Sequence, residues 1–253
     1  MKQSESRRIR VATYNVHKCK GIDGRTRPRR IADVIRELDA DIVALQEVLS
    51  LPNGAREANQ SRFLAEELGM NLALGKNRPL NGGLYGNIVL SRFPLQTSCN
   101  YDISVVDREE RGCLRADVCL PDHGLLHVFN VHLGTAFLER RAQARLLLNS
   151  DVLKHDELDS PRIVLGDFNE WTQGMVTRLL ESEFASADRK FLRWSRSYPG
   201  LFPILHLDHI YYDRALKLEN LFLLGNRLAR LASDHLPLAA DLVLPAPPPP
   251  EKL

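Results

Sequence analysis

Short runs rich in valine, isoleucine and leucine recur along the whole chain, and this pattern limits the fold more than any other feature of the sequence. Each run has the length of a β-strand and is bounded by turn-forming residues. Several runs follow one another with no helical segment between them, which argues against an all-parallel sheet. The predicted strands cover residues 10–16, 41–46, 87–91, 114–120, 126–133, 162–166, 208–212, 216–223 and 238–244.

Helical periodicity is interleaved with these strands. Ile31, Val34, Ile35 and Leu38 share one face of a helix that begins near Pro28. The other predicted helices cover residues 61–68, 136–155 and 174–180, and the predicted loops with the most turn chemistry are 51–60 and 76–86. Because strands outnumber helices by about two to one, we expect a layered α/β fold with mixed sheets and with helices outside.

Length and composition indicate one folded domain. The chain has 253 residues, of which 44% are hydrophobic and 26% are charged, and neither a composition break nor an internal repeat divides it. We expect a flexible basic N-terminus over residues 1–8, the domain over residues 9–244, and a disordered, proline-rich tail over residues 245–253.

The sequence also predicts a cytoplasmic location. No stretch approaches the ~18 consecutive apolar residues of a membrane helix, and residues 1–10 lack the apolar core of a secretory signal. The four cysteines show no C-x-x-C spacing, which argues against a zinc site and suits reduced thiols. We expect no stable membrane insertion and no obligate protein partner.

Charge is distributed unevenly along the chain. Residues 1–30 contain ten Lys or Arg and two acidic residues, although the formal charge of the whole chain is only +2. Such a basic segment beside an acidic remainder can attract phosphate-bearing ligands. From charge alone, a solvated basic arm is the preferred interpretation.

Polar side chains stand at the ends of the apolar runs, where packing gives no reason for carboxylates and imidazoles. Taken singly, each has a structural explanation, such as a solvated strand end or an Asx turn. Taken together, their carboxylates are hard oxygen ligands that suit Mg²⁺ or Mn²⁺ better than zinc. The residues are Asn15, His17, Gln46, Glu47, His132, Asp167, Asn169, Asp208, Asp234 and His235.

Seven motifs occur in a fixed order between Thr13 and Leu238: T-Y-N-V-H, D-I-V-A-L-Q-E-V, G-N-I-V-L-S-R-F-P, N-V-H-L, G-D-F-N, L-D-H-I-Y and S-D-H-L-P-L. This order resembles the endonuclease/exonuclease/phosphatase superfamily, which includes deoxyribonucleases, abasic endonucleases, bacterial sphingomyelinases and inositol polyphosphate 5-phosphatases. The resemblance implies a four-layer α/β sandwich, in which two face-to-face mixed β-sheets are flanked by helices. It also implies a metal-dependent phosphoesterase site at one edge.

The resemblance further implies roles for individual residues. Glu47 is similar to the principal metal ligand, Asn15 helps to hold metal or phosphate, and Asp234 is a carboxylate near the metal. Asp167 and Asn169 correspond to the pair that orients the attacking water and the phosphoryl oxygen.

The remaining implied roles concern two histidines and the phosphate contacts. His235 is similar to the catalytic imidazole, Asp208 to the carboxylate that orients it, and His132 to a second histidine of deoxyribonuclease-like and sphingomyelinase-like members. His17 stands where abasic endonucleases tend to have an aspartate, which places a second metal in doubt. With Asn169, His17 and Arg111 are our candidates for phosphate contacts.

Three functions follow as hypotheses. The first is a phosphoesterase dependent on Mg²⁺ or Mn²⁺ that cleaves phosphodiester bonds in DNA or RNA, as the basic N-terminal segment and His132 suggest. The second is a phospholipid or small-molecule phosphodiesterase or phosphatase. The third is a catalytically silent module that binds phosphate. The partner is accordingly nucleic acid or another phosphodiester.

One aromatic and basic segment has no assigned role. Residues 190–203 form either a buried loop or a lip that contacts bases or acyl chains. Trp171, Trp194 and Tyr198 are expected in the core unless a ligand stacks on them.

Overall fold

In the computed structural model, which describes residues 6–149, 151–155, 158, 161–172, 174–188 and 196–246, the elements alternate as the sequence pattern indicates. The helices are α1 (Pro28–Leu38), α2 (Gln60–Leu68), α3 (Phe137–Leu147), α4 (Met175–Glu183) and α5 (Arg227–Ala232). The strands are β1 (Arg7–Asn15), β2 (Ile42–Ser50), β3 (Asn71–Leu80), β4 (Gly83–Ser91), β5 (Leu95–Asp102), β6 (Gly112–Leu120), β7 (Gly124–His132), β8 (Arg162–Asp167), β9 (Ala185–Ser186), β10 (Asp208–Tyr212), β11 (Lys217–Leu223) and β12 (Leu238–Leu244).

The strands form two six-stranded sheets, ordered β11-β12-β1-β2-β4-β3 and β5-β6-β7-β8-β10-β9. Each sheet contains one parallel pair, β1 with β2 and β7 with β8, and its other pairs are antiparallel. A helix connects the strands of each parallel pair, α1 in the first sheet and α3 in the second. The expectation of mixed sheets is therefore confirmed.

The two sheets pack face to face, and the helices cover their outer faces. Val11 and Ile42 of the first sheet share one buried cluster with Val128 and Ile163 of the second. A second cluster joins the first sheet to α1, α2 and α5, and a third joins the second sheet to α3 and α4. The four-layer α/β sandwich is thus confirmed.

The expected loop at residues 76–86 is wrong, because this segment is a hairpin between β3 and β4. Its turn is made by Asn81 and Gly82, both with positive φ (50° and 78°), as a two-residue hairpin turn requires. Strand β5 was also missed. It lies at the edge of its sheet, and its mostly exposed residues do not form an apolar run.

Two predicted boundaries differ from the structure. Helix α3 ends at Leu147, although Val152 and Leu153 beyond it are buried against the same sheet and extend the apolar pattern. Strand β1 begins at Arg7, so Arg7 and Arg8 do not belong to a flexible N-terminus; the Arg8 side chain pairs with buried Asp241. Residues 1–5 and 247–253 lie outside the described part, so the predictions for both ends stay predictions.

No helix within the described residues has the length and apolar character needed to cross a membrane.

Candidate active site

The strand pairings bring the polar strand ends to one edge of the sandwich. The carboxyl ends of the parallel strands β1 and β2 meet there, as do those of β7 and β8. In the second sheet, Asp167 is paired with His132 on one side and with Asp208 on the other. Residues far apart in the chain therefore become neighbours through the sheet register alone.

Asn15 links the two sheets at this edge. Its Nδ2 atom donates hydrogen bonds to Glu47 Oε1 at 3.1 Å and to Asp167 Oδ2 at 2.9 Å. Its Oδ1 atom accepts from the backbone amide of His17 at 3.0 Å. The Ser233 hydroxyl donates to the backbone carbonyl oxygen of Asn15 at 2.8 Å. The uncharged amide thus separates two carboxylates that would otherwise repel each other.

Glu47 lies in a β-bulge, where the register of β2 against β4 shifts after Leu45. Its Oε2 atom is 3.0 Å from the Lys18 ammonium. Burial alone would raise the pKa of Glu47. The charge that His132 carries in the acidic range, the charge of Lys18 and hydrogen bonds from Asn15 and Lys18 instead lower that pKa to about 2. Glu47 is consequently a carboxylate at any physiological pH.

His235 forms a buried pair with Asp208, whose Oδ2 atom lies 2.8 Å from its Nδ1. The Ser197 hydroxyl donates to the same oxygen at 2.5 Å, and the Tyr198 ring lies 4.9 Å from the imidazole. Burial disfavours the charged imidazole, but the charges of Asp208 and Asp167 and the hydrogen bond with Asp208 raise the pKa of His235 to about 10. At neutral pH the ring is therefore an imidazolium.

Asp167 stands between the two histidines. Its Oδ2 atom is 3.6 Å from His235 Nε2 and 3.7 Å from His132 Nε2. Its Oδ1 atom accepts from the Asn169 amide at 2.9 Å. The Asn169 side-chain amide donates to the Leu133 carbonyl at 2.9 Å, which leaves its second amide hydrogen for another acceptor.

His132 is held by Arg111. One guanidinium nitrogen lies 2.8 Å from His132 Nδ1 and 3.2 Å from Nε2, while the other donates to Glu109. Burial and then the charge of Arg111 lower the pKa of His132 to about 4. A guanidinium has only donors, so the nearer Nδ1 must accept, and the neutral ring keeps its proton on Nε2, which faces Asp167.

Asp234 and His17 lie at the rim of the site. Their closest side-chain atoms are 3.4 Å apart, and about a third of each side chain is exposed. Asp234 faces the cavity described next, whereas His17 is not among its lining residues. The expected phosphate contact of His17 stays a prediction.

A cavity of about 290 Å³ opens between these groups. It brings together eight of the predicted site residues, and Asp208 lies directly behind His235. Its lining residues are Asn15, Glu47, Arg111, His132, Thr135, Asp167, Asn169, Trp171, Tyr198, Leu205, Leu207, Asp234 and His235.

Sequence reasoning missed two groups that complete the site and misjudged a third. Lys18 lies in the short 3-10 turn after β1 and Ser197 lies in a loop, so no periodic signal marked them. Trp171 was expected in the core, but 60% of its surface is exposed at the cavity rim. Tyr198 is partly buried against His235, and Trp194 lies outside the described residues.

Gln46 precedes Glu47 in β2 but points the other way, into the interior between the sheets. Its Nε2 atom donates to Thr13 Oγ1 at 3.0 Å and to Asn130 Oδ1 at 2.8 Å. The Asn130 amide in turn donates to the Leu45 and Ile88 carbonyls at 2.9 and 2.8 Å. This buried network supports the site from behind.

Backbone strain also gathers at this edge. Within the described residues, nine non-glycine residues have positive φ, a region that disfavours residues with a Cβ. Four of them belong to the site or its rim, which is typical of functional positions. These four are His17 (44°), Lys18 (56°), Glu47 (59°) and Asn169 (50°).

The donor set fits a divalent cation such as Mg²⁺ or Mn²⁺. Glu47 and Asp234 present carboxylate oxygens to the cavity, and the Lys18 ammonium already balances the charge of one of them. Asp167, Asp208 and His235 also offer ligand atoms within 4.8 Å of one another. A metal binds the neutral form of an imidazole, so the raised pKa of His235 favours Glu47 and Asp234 over this group as metal ligands.

Comparison of the sequence with known protein families gives a match over the residues that form the site. It matches the Endonuclease/Exonuclease/phosphatase family over residues 12–235, a span that contains every site residue described above. The chain belongs to this family. Members of the family hydrolyse phosphoester bonds and generally depend on divalent metal ions.

The chain is also similar to individual proteins. The chain is 34% identical over 259 aligned residues to the uncharacterized protein YbhP of Escherichia coli (strain K12), covering 96% of this chain and 99% of that protein. An endonuclease/exonuclease/phosphatase from Beutenbergia cavernae DSM 12333 is similar with a TM-score of 0.75 and 24% identity, over 95% of this chain and 73% of the other. The mannosyl-6-phosphatase Bt3783 of Bacteroides thetaiotaomicron VPI-5482 has a TM-score of 0.75 and 20% identity, over 93% and 100%. The two structures share the fold.

Proposed function

We propose that the protein is a divalent-metal-dependent phosphodiesterase. The observation that carries this proposal is the convergence of Glu47, Asn15, Asp167 and the His235–Asp208 pair on one cavity. Glu47, Asn15 and Asp234 would hold Mg²⁺ or Mn²⁺. The ion, when bound, supplies Lewis-acid stabilisation of the charge that develops on phosphate oxygens.

The charge of the cavity calls for a cation and favours a diester. Together with the groups directly paired to it, the lining carries five carboxylates (Glu47, Asp167, Asp234, Asp208 and Glu109) and three cations (Arg111, His235 and Lys18), a formal charge of −2. A divalent ion brings this charge to zero, so the site no longer repels an anionic phosphate ester. A phosphodiester monoanion then leaves less unbalanced charge in a partly buried site than a phosphomonoester dianion.

The protein's own side chains divide the proton chemistry. Asp167 accepts hydrogen bonds and holds a negative charge, so it orients the attacking water and takes its proton. The His235 imidazolium and the Nε2 proton of His132 donate to phosphoryl oxygens from opposite sides of Asp167. Arg111 keeps His132 neutral and oriented, and Asn169 supplies a further donor without adding charge.

Nucleic acid is the narrower substrate hypothesis, and the structure gives it less support than the sequence did. Five of the nine N-terminal bases among the described residues form ion pairs, one of them Lys18 with Glu47. Arg8 and Arg10 pair with Asp241, Arg29 with Glu67 and Arg30 with Asp23. The remaining support is the similarity of His132 to the second histidine of deoxyribonuclease-like members.

A substrate panel tests the proposal. We expect the purified protein to hydrolyse bis-p-nitrophenyl phosphate with Mg²⁺ or Mn²⁺, to do so faster than p-nitrophenyl phosphate, and to lose activity in EDTA. Plasmid DNA and RNA in the same panel test the nuclease hypothesis. Hydrolysis that persists after thorough chelation, or a preference for the monoester, contradicts the proposal.

Matched variants separate catalysis from folding. Glu47→Ala, Asp167→Ala and His235→Ala should each lower turnover by about 10²–10⁴-fold with unchanged circular dichroism. His209→Gln is the matched control, because it breaks a comparable buried pair with Asp188, also at 2.8 Å, that does not line the cavity. Near-normal turnover in a cavity variant removes that residue from the mechanism.

A further inference from the structure

Exposed apolar side chains lie on the segments that contribute to the cavity lining. Of the nine large apolar residues exposed in the described part of the chain, six lie on or beside segments that line it. Phe202 (73% exposed), Leu138 (71%) and Ile204 (63%) are the most exposed of these six. The six are Phe137, Leu138, Trp171, Leu201, Phe202 and Ile204. An apolar patch placed at a functional opening indicates an interaction surface.

Three of these residues lie in one tight loop, which we call the apolar loop (residues 198–205). Its two ends pair: the Tyr198 amide donates to the Leu205 carbonyl at 3.2 Å, and the Leu205 amide donates back at 2.8 Å. The Gly200 amide donates to the Asp234 carbonyl at 2.6 Å, and Arg230 donates to the Leu201 carbonyl at 2.6 Å. The loop is therefore held in place by hydrogen bonds between its two ends and by hydrogen bonds with Asp234 and Arg230.

The base of the apolar loop is part of the active site. Tyr198 packs on the His235 ring, Leu205 lines the cavity, and the preceding Ser197 donates to Asp208. The exposed tip is consequently continuous with the backbone segment that positions the catalytic groups.

Two arginines flank the loop, and one carboxylate, that of Asp234, lies next to it because the Asp234 carbonyl accepts from Gly200. Residues 196–206 contain no carboxylate, and Arg196 at their start is exposed. Beneath the loop, the hydrogen bonds of Arg230 described by the structure go to the carbonyl oxygens of Gly200, Leu201 and Gly225, which do not neutralise its charge. Aliphatic and aromatic tips next to arginine are characteristic of surfaces that bind anionic lipid interfaces.

We propose that the apolar loop and Trp171 form a docking surface for an anionic lipid bilayer, which presents a phosphodiester headgroup to the cavity. The substrate part of this inference rests on the proposed phosphodiesterase function. Leu201 and Ile204 favour lipid over nucleic acid, because aliphatic side chains offer no stacking surface to bases. Docking is peripheral, with the tip at the level of the headgroups and the fold outside the bilayer.

Vesicle sedimentation in EDTA tests docking without requiring turnover. We expect the wild type to sediment with phosphatidylglycerol/phosphatidylcholine vesicles more than with pure phosphatidylcholine vesicles. The triple variant Leu201→Ser/Phe202→Ser/Ile204→Ser should lose about tenfold or more in partitioning, since each apolar side chain contributes through its buried area. Ile22→Ser and Leu146→Ser, exposed apolar residues away from the cavity lining, should bind as the wild type does.

The outcomes distinguish the two proposals. Absence of vesicle binding by the wild type, or equal binding by the triple variant, overturns docking whatever the activity. A triple variant that loses DNA binding, or a dimer on size-exclusion chromatography that it abolishes, assigns the surface to nucleic acid or to a second copy and also overturns docking. If vesicles bind but bis-p-nitrophenyl phosphate is not hydrolysed with metal, the phosphodiesterase proposal fails and docking stands.

Discussion

The Asp208 carboxylate accepts two hydrogen bonds on one oxygen, from the His235 imidazole at 2.8 Å and from the Ser197 hydroxyl at 2.5 Å. Asp208 is fully buried, so bulk water does not solvate its charge. The pair therefore holds His235 in one orientation and in its charged form. Protonation, rather than position alone, is what Asp208 contributes to the site.

Asp208→Asn should lower the pKa of His235 from about 10, because the amide removes the largest favourable charge that offsets burial. The imidazole resonances of His235, followed by NMR against pH in the metal-free protein, measure this shift. Turnover at neutral pH should fall with it. An unchanged pKa would show that Asp167 alone maintains the charge.

The same pair should make stability depend on pH. The pKa of His235 is about 10 in the folded protein against an ordinary value of 6.5, so the stabilisation is complete below pH 6.5 and declines as the pH rises toward 10. Urea unfolding of wild type and His235→Gln between pH 6 and pH 10 measures it. The difference in unfolding free energy between the two proteins should narrow as the pH increases; a constant difference contradicts the assignment.

Glu47→Gln should weaken Mn²⁺ binding by at least about tenfold, since it replaces an ionised carboxylate with a neutral amide of the same shape. Isothermal titration calorimetry on the chelator-treated protein measures the affinity. Glu67→Gln is the control, because Glu67 pairs with Arg29 and Arg36 on the helical layer. Equal affinities for wild type and Glu47→Gln would remove Glu47 from the metal site.

Asn15→Asp should destabilise the metal-free protein by about 1–3 kcal/mol, because a third carboxylate then faces Glu47 and Asp167 without a donor between them. Mg²⁺ should restore part of the loss. Thermal unfolding with and without Mg²⁺ checks this: the gain in Tm on adding the ion should be larger for the variant than for the wild type. Identical gains would argue against an ion beside Asn15.

Asn130→Leu should lower the unfolding free energy by about 2–4 kcal/mol, because it leaves Gln46 and the Leu45 and Ile88 carbonyls without their buried partner. Urea denaturation measures the loss. Asn53→Ala, in an exposed turn, is the control and should change stability by less than about 0.5 kcal/mol.

Much of the fold follows from apolar patterning. The central strands were predictable because both faces are buried and their residues form apolar runs, as in β2 and β8. Strand β5 and the hairpin of β3 and β4 were not, because edge strands have few buried residues and hairpin turns contain glycine and asparagine that resemble a loop.

The site was predictable to the extent that it lies at strand ends. Asp167 and Glu47 follow apolar runs, so their position at the sheet edge is a consequence of topology. Lys18 and Ser197 were not predictable, since loops place them and no spacing relates them to their partners. The different charge states of His132 and His235 also depend on neighbours that only the fold brings together.

Because the backbone at Glu47 is left-handed, conformational stability favours glycine at this position, whereas the chemistry of the cavity requires a carboxylate. A glycine there would relieve about 1–2 kcal/mol of conformational energy, yet it would remove from the cavity a carboxylate whose pKa is about 2. Variants selected only for heat tolerance should therefore replace the glutamate at this bulge. Where the glutamate is retained, the function of its carboxylate outweighs the stability that an unstrained backbone would add.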